Sequence, residues 1–392
     1  MFPTIADLIN YLLNTHLVLP IQTLGLFMAL SFVFTYRVFV SEFKRKEAAG
    51  VIHSFKKTVL VGAPASLPEL AVNGLLGFLF GFKIIGAALA YKLFWYDPKT
   101  FIVSTHGNLI AGFFFAFAFG GWAWYSRQKE RLPQPKLVEQ TMHPYQLLPY
   151  MVFFMGFWGF IGAKLFDTVE HLDALRYDPL GTLFSANGFS YYGGLVFGAL
   201  AYLYMGYQKG MRLVHLADIG SPGMMLAYAI GRIGCQLSGD GDWGVVNIKP
   251  KPHVLQWLPD WMWSFKFPHN EINAGVMMKN CSGSFCHELL YGVYPTSFYE
   301  MVICMLLFIF MWVVRKHINA AGLMFYIYLT ASGLERIAIE SVRVNERYKF
   351  LGINFSQAEW ISLFMLLGGL TGLIYLGYKK FRTNNNTLTK TI

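Results

Sequence analysis

Charged residues are scarce in this chain. They fill 14% of its 392 positions, where soluble domains carry about 25%. That shortfall excludes an ordinary water-facing fold. Cysteine is also scarce, four residues in all, which excludes a disulfide-built scaffold. Cys235 and Cys304 fall in or beside apolar segments and read as packing residues. Cys281 and Cys286 lie in a polar loop, where a local disulfide forms if that loop faces an oxidising compartment. With His269 and His287 nearby, their spacing still matches no familiar zinc pattern. A removable secretory leader is not expected, because Met1 to Asn14 has neither a basic start nor a small-residue cleavage site. A compact basic module with interleaved aromatics is missing, so the net charge of +10 does not point to nucleic acid. The Lys and Arg residues instead sit in short runs between apolar stretches, the pattern left by membrane topology and anionic headgroups.

What the chain has in excess is apolar and aromatic surface: 55% hydrophobic residues, with 36 Phe and 22 Tyr. Apolar runs long enough to cross a bilayer recur, over roughly 17–40, 68–91, 107–125, 146–166, 191–208, 216–236, 297–314, 321–341 and 357–378. The reading is an all-α polytopic membrane protein of about nine helices. Basic clusters close each odd-numbered span: Lys44 to Lys46, Arg127 to Arg131, Lys209 with Arg212, Arg315 with Lys316, and Lys379 with Lys380. The positive-inside rule then puts the N-terminus outside and the C-terminus in the cytoplasm. The longest outside loop, about 238–296, is expected to form a small extracytoplasmic head. Its Trp257, Trp261 and Trp263 read either as an interfacial belt or as ordinary loop aromatics. A repeat is also visible. Residues 77–113 and 156–198 share, in order, a Gly/Phe-rich helix with Gly-Ala, then Lys-Leu-Phe, Tyr-Asp-Pro, and a Ser-led motif with Gly and Leu. It reads as a duplicated helix pair, or as chance likeness between two Gly- and Phe-rich hairpins. The expected division is 1–144 as an N-terminal membrane region holding the repeat, 145–378 as the main membrane domain, and 379–392 as a cytoplasmic tail.

The chemistry lies where charge is costly. An Arg or Asp at mid-membrane costs about 2.5–3.5 kcal/mol on insertion scales, so such residues face a cavity and pair. Arg232 is flanked by Gly231 and Gly234 and followed by a Gly-rich turn carrying Asp240 and Asp242. It reads as an anion-binding guanidinium or as a structural partner of one of those carboxylates. Arg336, Glu340 and Arg343 are spaced i, i+4 and i+7 along the eighth span. That spacing puts them on one helix face, with Arg336 paired to Glu340 and Arg343 left near the outer surface. Either this is a structural ion pair, or the guanidinium groups hold phosphate in bidentate fashion. Glu300, three residues after Ser297, has capping-box spacing and could simply start a helix. Tyr192, followed by Gly193 and Gly194, reads as a hydrogen-bonding phenol or an interfacial aromatic, beside glycines that admit close packing or lipid.

In this order and spacing the motifs resemble the prolipoprotein diacylglyceryl transferase family. Ser190 to Leu195 is similar to its Ser-Phe-His-Gly-Gly-Leu motif. Gly231 to Gly244 resembles its Gly-Arg-x-Gly-Asn signature running to Trp-Gly. Tyr294 to Glu300 resembles His-Pro-x-Gln-x-Tyr-Glu, and Gly333 to Arg343 its late-helix Gly-x-x-Arg-x-x-x-Glu-x-x-Arg. Ser356-Gln357 resembles the start of its last helix. The likeness covers roughly residues 145–378. The family's motif histidine is Tyr192 here, its signature Asn is Cys235, its Glu is Asp240, and a Tyr expected before Arg336 is Ser332. His106, in the first repeat copy, resembles the histidine motif better than Tyr192 does and is carried as a substitute base.

The resemblance implies transfer of the diacylglyceryl group of phosphatidylglycerol to the lipobox cysteine of a preprolipoprotein, in the bacterial cytoplasmic (inner) membrane. It implies catalytic roles for Arg232, Arg336, Glu340, Tyr192 and Glu300. It places Arg232, Gly193, Gly194, Asp240, Gly244 and Arg343 at the lipid. It calls for no metal, nucleotide or other cofactor. Two other readings stay open: a paralogue with lost or changed activity that binds lipid or precursor, and a secondary transporter, which a repeat and intramembrane arginines would also suit.

Overall fold

A computed structural model describes residues 1–392 except 18, 20, 97–100, 103, 185–187, 282, 345–346, 351–352 and 389–392. The principal helices are α1 (Ile5–Leu13), α2 (Thr23–Ala48), α3 (Leu67–Leu89), α4 (Leu109–Lys129), α5 (Leu148–Glu170), α6 (Tyr191–Gln208), α7 (Leu213–Ser238), α8 (Thr296–Val314), α9 (Leu323–Glu340) and α10 (Gln357–Leu388). Among the described residues seven helices are long and apolar enough to cross a membrane. The expected fifth and eighth spans, α6 and α9, are helices of 18 residues too, but α6 is diluted by Tyr, Gly and Gln, and α9 carries Glu335, Arg336 and Glu340. The chain is therefore a helical, multi-pass membrane protein. Helix α10 runs on to Leu388, so the segment expected as a polar tail from 379 begins as a continuation of that helix.

Two compact units divide the chain: residues 1–52 with 206–392, and residues 53–205. The expected division at 144/145 falls inside the second of these. In the first unit α7 is the central helix. Of its apolar stretch 61% is buried, against 22% or less for the other six candidate spans. Small residues let its neighbours close in, as in membrane bundles generally. A Cβ on Gly223 would lie 2.4 Å from the Phe39 ring of α2, and one on Gly234 would lie 3.0 Å from Phe27. On another face Met225 and Ala229 join Cys304 and Met311 of α8 and Met324 of α9 in one buried cluster. Helices α9 and α10 meet through Gly333, Gly369 and Gly372; a Cβ on Gly369 would sit 2.6 Å from the Thr330 amide nitrogen. Asp218, buried on α7, starts α9 by accepting from the amides of Gly322 (2.8 Å) and Phe325 (3.0 Å).

The loop after α7 forms a small lobe of the first unit. Gly239 ends the helix with φ +68°, and Gly241 turns at φ +103°. Both are left-handed conformations that glycine takes without steric cost. Asn270 is fully buried and ties the lobe together, donating to the carbonyls of Phe267, Ala274 and His287 and accepting from the Ala274 amide. Cys281 and Cys286 are bridged. Trp257 is exposed, while Trp263 donates to the Lys249 carbonyl at 3.0 Å, so the expected belt is split between the two readings.

The second unit holds two helix hairpins, α3–α4 and α5–α6, and the antiparallel pair β1 (Phe55–Val61) and β2 (Lys136–Met142), in register from Phe55 opposite Met142 to Val61 opposite Lys136. The hairpins share a closing device. In the first, Gly86 lies against Gly107, the Asn108 amide donates to the Phe82 carbonyl at 3.0 Å, and Lys83 donates to the carbonyls of Phe101, Ser104 and His106. In the second, Gly162 lies against Gly193, the Ser190 amide donates to the Ala163 carbonyl at 3.0 Å, and Lys164 donates to the Gly188 carbonyl at 3.2 Å. Asp97 and Pro98 of the first copy lie outside the described residues.

Candidate functional site

The first unit gathers its costly charges at the C-terminal ends of α7 and α9 and the N-terminal end of α8. Glu300, one turn into α8 and 0% exposed, is the hub. Its Oε1 takes Arg336 at 2.8 Å and Arg343 at 3.1 Å, and its Oε2 takes the Nε of Arg232 at 2.8 Å. Asp242 is a second hub, paired with Arg232 through one oxygen and with Arg343 through the other. Arg336 also reaches Glu340 at 3.5 Å, and Glu340 accepts from the Ser356 hydroxyl at 2.6 Å. Three guanidinium groups thus face three carboxylates, and the nominal charge of the centre is zero.

Local structure explains how each group arrives. The capping-box reading of Ser297 and Glu300 does not hold: α8 starts at Thr296 with no side-chain cap. Instead the hydroxyls of Thr296 and Ser297 donate to the Asp242 carbonyl at 3.0 and 2.6 Å and pin the loop, while Glu300 turns to the arginines. Arg343 is likewise not left at the surface on a helix face. Helix α9 ends at Glu340, and the chain turns so that Arg343 bridges the Gly244 backbone, its side chain only 10% exposed. Gly244 is required there, because a Cβ would sit 2.5 Å from the Val342 carbonyl oxygen.

Two residues complete the centre that the sequence reading did not single out. Tyr228 lies one turn before Arg232 on α7. Its ring carries the Arg232 guanidinium at 4.9 Å, its hydroxyl accepts from Arg232 (3.2 Å) and Arg336 (3.3 Å), and it donates to Glu300 (3.2 Å). The i, i+4 spacing to Arg232 was the available signal. Asp242, weighed only as a structural partner, is the carboxylate that the arginines choose. Asp240, expected at the lipid, accepts from the Asp242 amide at 3.2 Å.

The two loop carboxylates differ electrostatically. Burial, and then the neighbouring Asp242 charge, push the Asp240 carboxyl above the usual carboxylate range, although the Cys235 thiol and the Asp242 amide pull the other way. Burial also works against charge on Asp242, but Arg232 and Arg343 outweigh it and hold that carboxyl below the usual range. Ligand atoms of Cys235, Asp240 and Asp242 lie within 4.8 Å of one another, a spacing a cation could bridge. Both Asp242 oxygens, however, are already committed to arginine.

Arg232, Arg336, Arg343, Glu300, Glu340, Asp240 and Gly244 thus all belong to the first unit. Tyr192, Gly193, Gly194 and His106 belong to the second. There Gly193 is a packing position, since a Cβ would lie 2.3 Å from the Gly162 carbonyl oxygen, whereas one on Gly194 would meet nothing nearer than 3.4 Å. Tyr192 stands in the first turn of α6, and His106 is exposed in the loop before α4.

Comparison with known proteins agrees with the motif reading. The prolipoprotein diacylglyceryl transferase family model matches residues 109–375. A phosphatidylglycerol–prolipoprotein diacylglyceryl transferase of Dehalococcoides mccartyi is 25% identical over 232 residues, 58% of this chain and 76% of that protein. One of Staphylococcus aureus is 24% identical over 245 residues, covering 62% and 78%. One of Clostridium botulinum is 28% identical over 191 residues, covering 48% and 65%.

Proposed function

The chain belongs to the prolipoprotein diacylglyceryl transferase family, and we propose that it transfers the diacylglyceryl group of phosphatidylglycerol to the lipobox cysteine of preprolipoproteins in the bacterial cytoplasmic (inner) membrane. The observation that carries this reading is the convergence of Arg232, Arg336 and Arg343 on two carboxylates within the bundle. Three planar guanidinium groups in one place suit the oxygens of a phosphodiester. The two carboxylates are not equivalent. Glu300 is sealed at 0% exposure, while the Asp242 side chain is 33% exposed. Glu300 therefore acts as the fixed anchor that aims the arginines. Asp242 holds their outer faces until the headgroup phosphate takes its place.

In the transfer the cysteine sulfur attacks the glyceryl carbon bonded to phosphate oxygen. The S–C bond forms, the C–O bond breaks, and the electron pair leaves with glycerol phosphate. Arg232 and Arg336 stabilise the charge that builds on the leaving phosphate. Preorganised donors of this kind in a water-poor site contribute about 2.7–4 kcal/mol each. Arg343 is a third phosphate contact, and Gly244 lets its strand approach. Glu340 and Glu300 orient the arginines, and Asp240 positions the loop that carries Asp242. The thiol proton is taken by a base, Tyr192 or, as the alternative, His106, and ends on the departing glycerol phosphate; Gly193 and Gly194 shape the helix entry beside Tyr192. The chain crosses the membrane about nine times, with its N-terminus outside, its head lobe extracytoplasmic and its C-terminus in the cytoplasm. The α3–α4 hairpin is a duplicate of α5–α6.

The test is purified protein given labelled phosphatidylglycerol and a lipobox peptide. Lipidated peptide from the wild type, and none from Arg232→Ala or Arg336→Ala, supports the transferase. A second reading is favoured by Tyr192, Cys235 and Ser332, which stand where the family motif has His, Asn and Tyr. Peptide binding without any lipidated product would identify a relative with changed activity.

A further inference from the structure

Glu335 is a buried carboxylate of α9 that takes no part in the ion pairs of the arginine centre. It is 5% exposed, and its Oε1 finds no hydrogen-bond partner among the described residues. An ionisable group buried among apolar helices is costly and normally faces a cavity and a partner. Glu335 does line a cavity, a groove of about 440 Å³ between α8, α9 and α10. Its other walls include Ile303, Leu307, Ile327, Leu334 and Leu373. Thr330, the other polar residue there, already donates to the Tyr326 carbonyl at 2.8 Å. The groove is not isolated. Ile303 also lines a cavity of about 570 Å³ beneath the head lobe, together with Tyr299 and Val342, the chain neighbours of Glu300 and Arg343. From Tyr299 to Leu307 the two cavities follow α8 for about 12 Å at 1.5 Å per residue.

We propose that this groove seats the apolar, membrane-embedded segment of the polypeptide substrate, and that Glu335 accepts a hydrogen bond from a backbone amide or the thiol near its cysteine. The inference rests on the transferase reading. The choice of occupant follows from the donors each substrate carries. A phospholipid brings its polar groups at the head, where the arginines are, and its acyl chains have nothing to give a carboxyl. A polypeptide leaving helical geometry within a bilayer has amide groups that must find an acceptor. Seated along α8, its upper end reaches the cavity beside Glu300 and Arg343, and its apolar part lies against Leu307 and Ile327.

The test separates peptide from lipid recognition. In steady-state assays of the full-length protein, Glu335→Leu, which removes the acceptor, raises KM for the lipobox peptide about ten-fold, the loss of one buried hydrogen bond, and leaves KM for phosphatidylglycerol within about two-fold. Leu373→Trp fills the groove from α10 rather than from the helix that carries Glu335 and shifts peptide KM in the same direction, which covers failure of the Leu variant to fold. A photocrosslinker placed at Leu334 captures labelled peptide. An unchanged peptide KM in the folded variants, a rise confined to phosphatidylglycerol KM, or capture of labelled phosphatidylglycerol instead of peptide would each overturn the proposal. If the wild type makes no product, the transferase reading fails by itself, and the crosslink then decides this one.

Discussion

Neutralising Glu300 is the sharpest test of the arginine centre. Glu300→Gln keeps the shape of the side chain and removes one charge from a centre of three guanidinium groups and three carboxylates. The site is closed to water at that point, so solvent cannot take over the lost role. Removing one partner of a buried ion pair costs about 3–5 kcal/mol, because the remaining charge is left uncompensated. Here the excess charge is shared among three arginines, and Asp242 still holds two of them, which puts the expected loss at the lower end, about 3 kcal/mol. Equilibrium unfolding in mixed micelles, followed by tryptophan fluorescence, reads that loss. The reasoning makes a second demand. Adding Arg343→Gln restores the balance, so the double variant should lose less than the sum of the two singles, with a coupling of about 0.5–3 kcal/mol. A Glu300→Gln protein within about 0.5 kcal/mol of wild type, or a strictly additive pair, would refute the idea that Glu300 anchors the centre.

Arg336→Lys keeps the charge but loses the planar fork, and it should lower kcat about 10²–10³-fold in the labelled-lipid assay. Gly162→Val forces a side chain into the Gly193 contact and should cost about 1–3 kcal/mol in the same unfolding measurement, whereas Gly156→Ala, with open space around it, should be silent. Asp242 is held below its unfolded pKa by Arg232 and Arg343. Its contribution is therefore complete above about pH 4 and is lost as pH falls through the lower folded value; the wild type should lose stability along that acid limb and Asp242→Asn should lose less. Labelling of single cysteines in intact cells should reach a position near Asp260 from outside and one near Lys129 only after permeabilisation.

The site was legible to the degree that its charges were expensive. Arg232, Arg336, Glu340 and Glu300 stand out in apolar or aromatic stretches, and a bilayer forces such residues to seek partners. What the spacing could not give was which partner each would take. Two carboxylates follow Arg232 within ten residues, and only the turn at Gly239 and Gly241 aims Asp242, rather than Asp240, at the arginines. Arg343 looked like a third residue on one helix face because periodicity does not announce where a helix stops. The helix ends at Glu340, and the bridge to Gly244 carries Arg343 inward. Glu335 was passed over because its neighbour Arg336 completed the pattern, and its groove depends on α10, thirty or more residues further on.

The place of the N-terminal helix was hidden for a related reason. The likeness between residues 77–113 and 156–198 draws the eye to one N-terminal region ending near 144. Packing says that the first 52 residues belong elsewhere, with 206–392. Phe39 of α2 fills the space left by Gly223 of α7, the Thr35 hydroxyl donates to the Gly223 carbonyl at 3.3 Å, and Glu42 pairs with Arg315 after α8 at 2.6 Å. Each contact joins positions more than 180 residues apart, and no local pattern reports it. Glu42 is 1% exposed and Arg315 8%; Glu42 is also held by Arg45 at 2.8 Å, but Glu42 is the carboxylate that balances the buried Arg315 charge. The helix that presents Glu42 is thus needed wherever Arg315 is buried. A truncation that keeps only the span resembling the family would strip α2 from α7 and leave that guanidinium unpaired, even though every arginine of the functional centre remained in the chain.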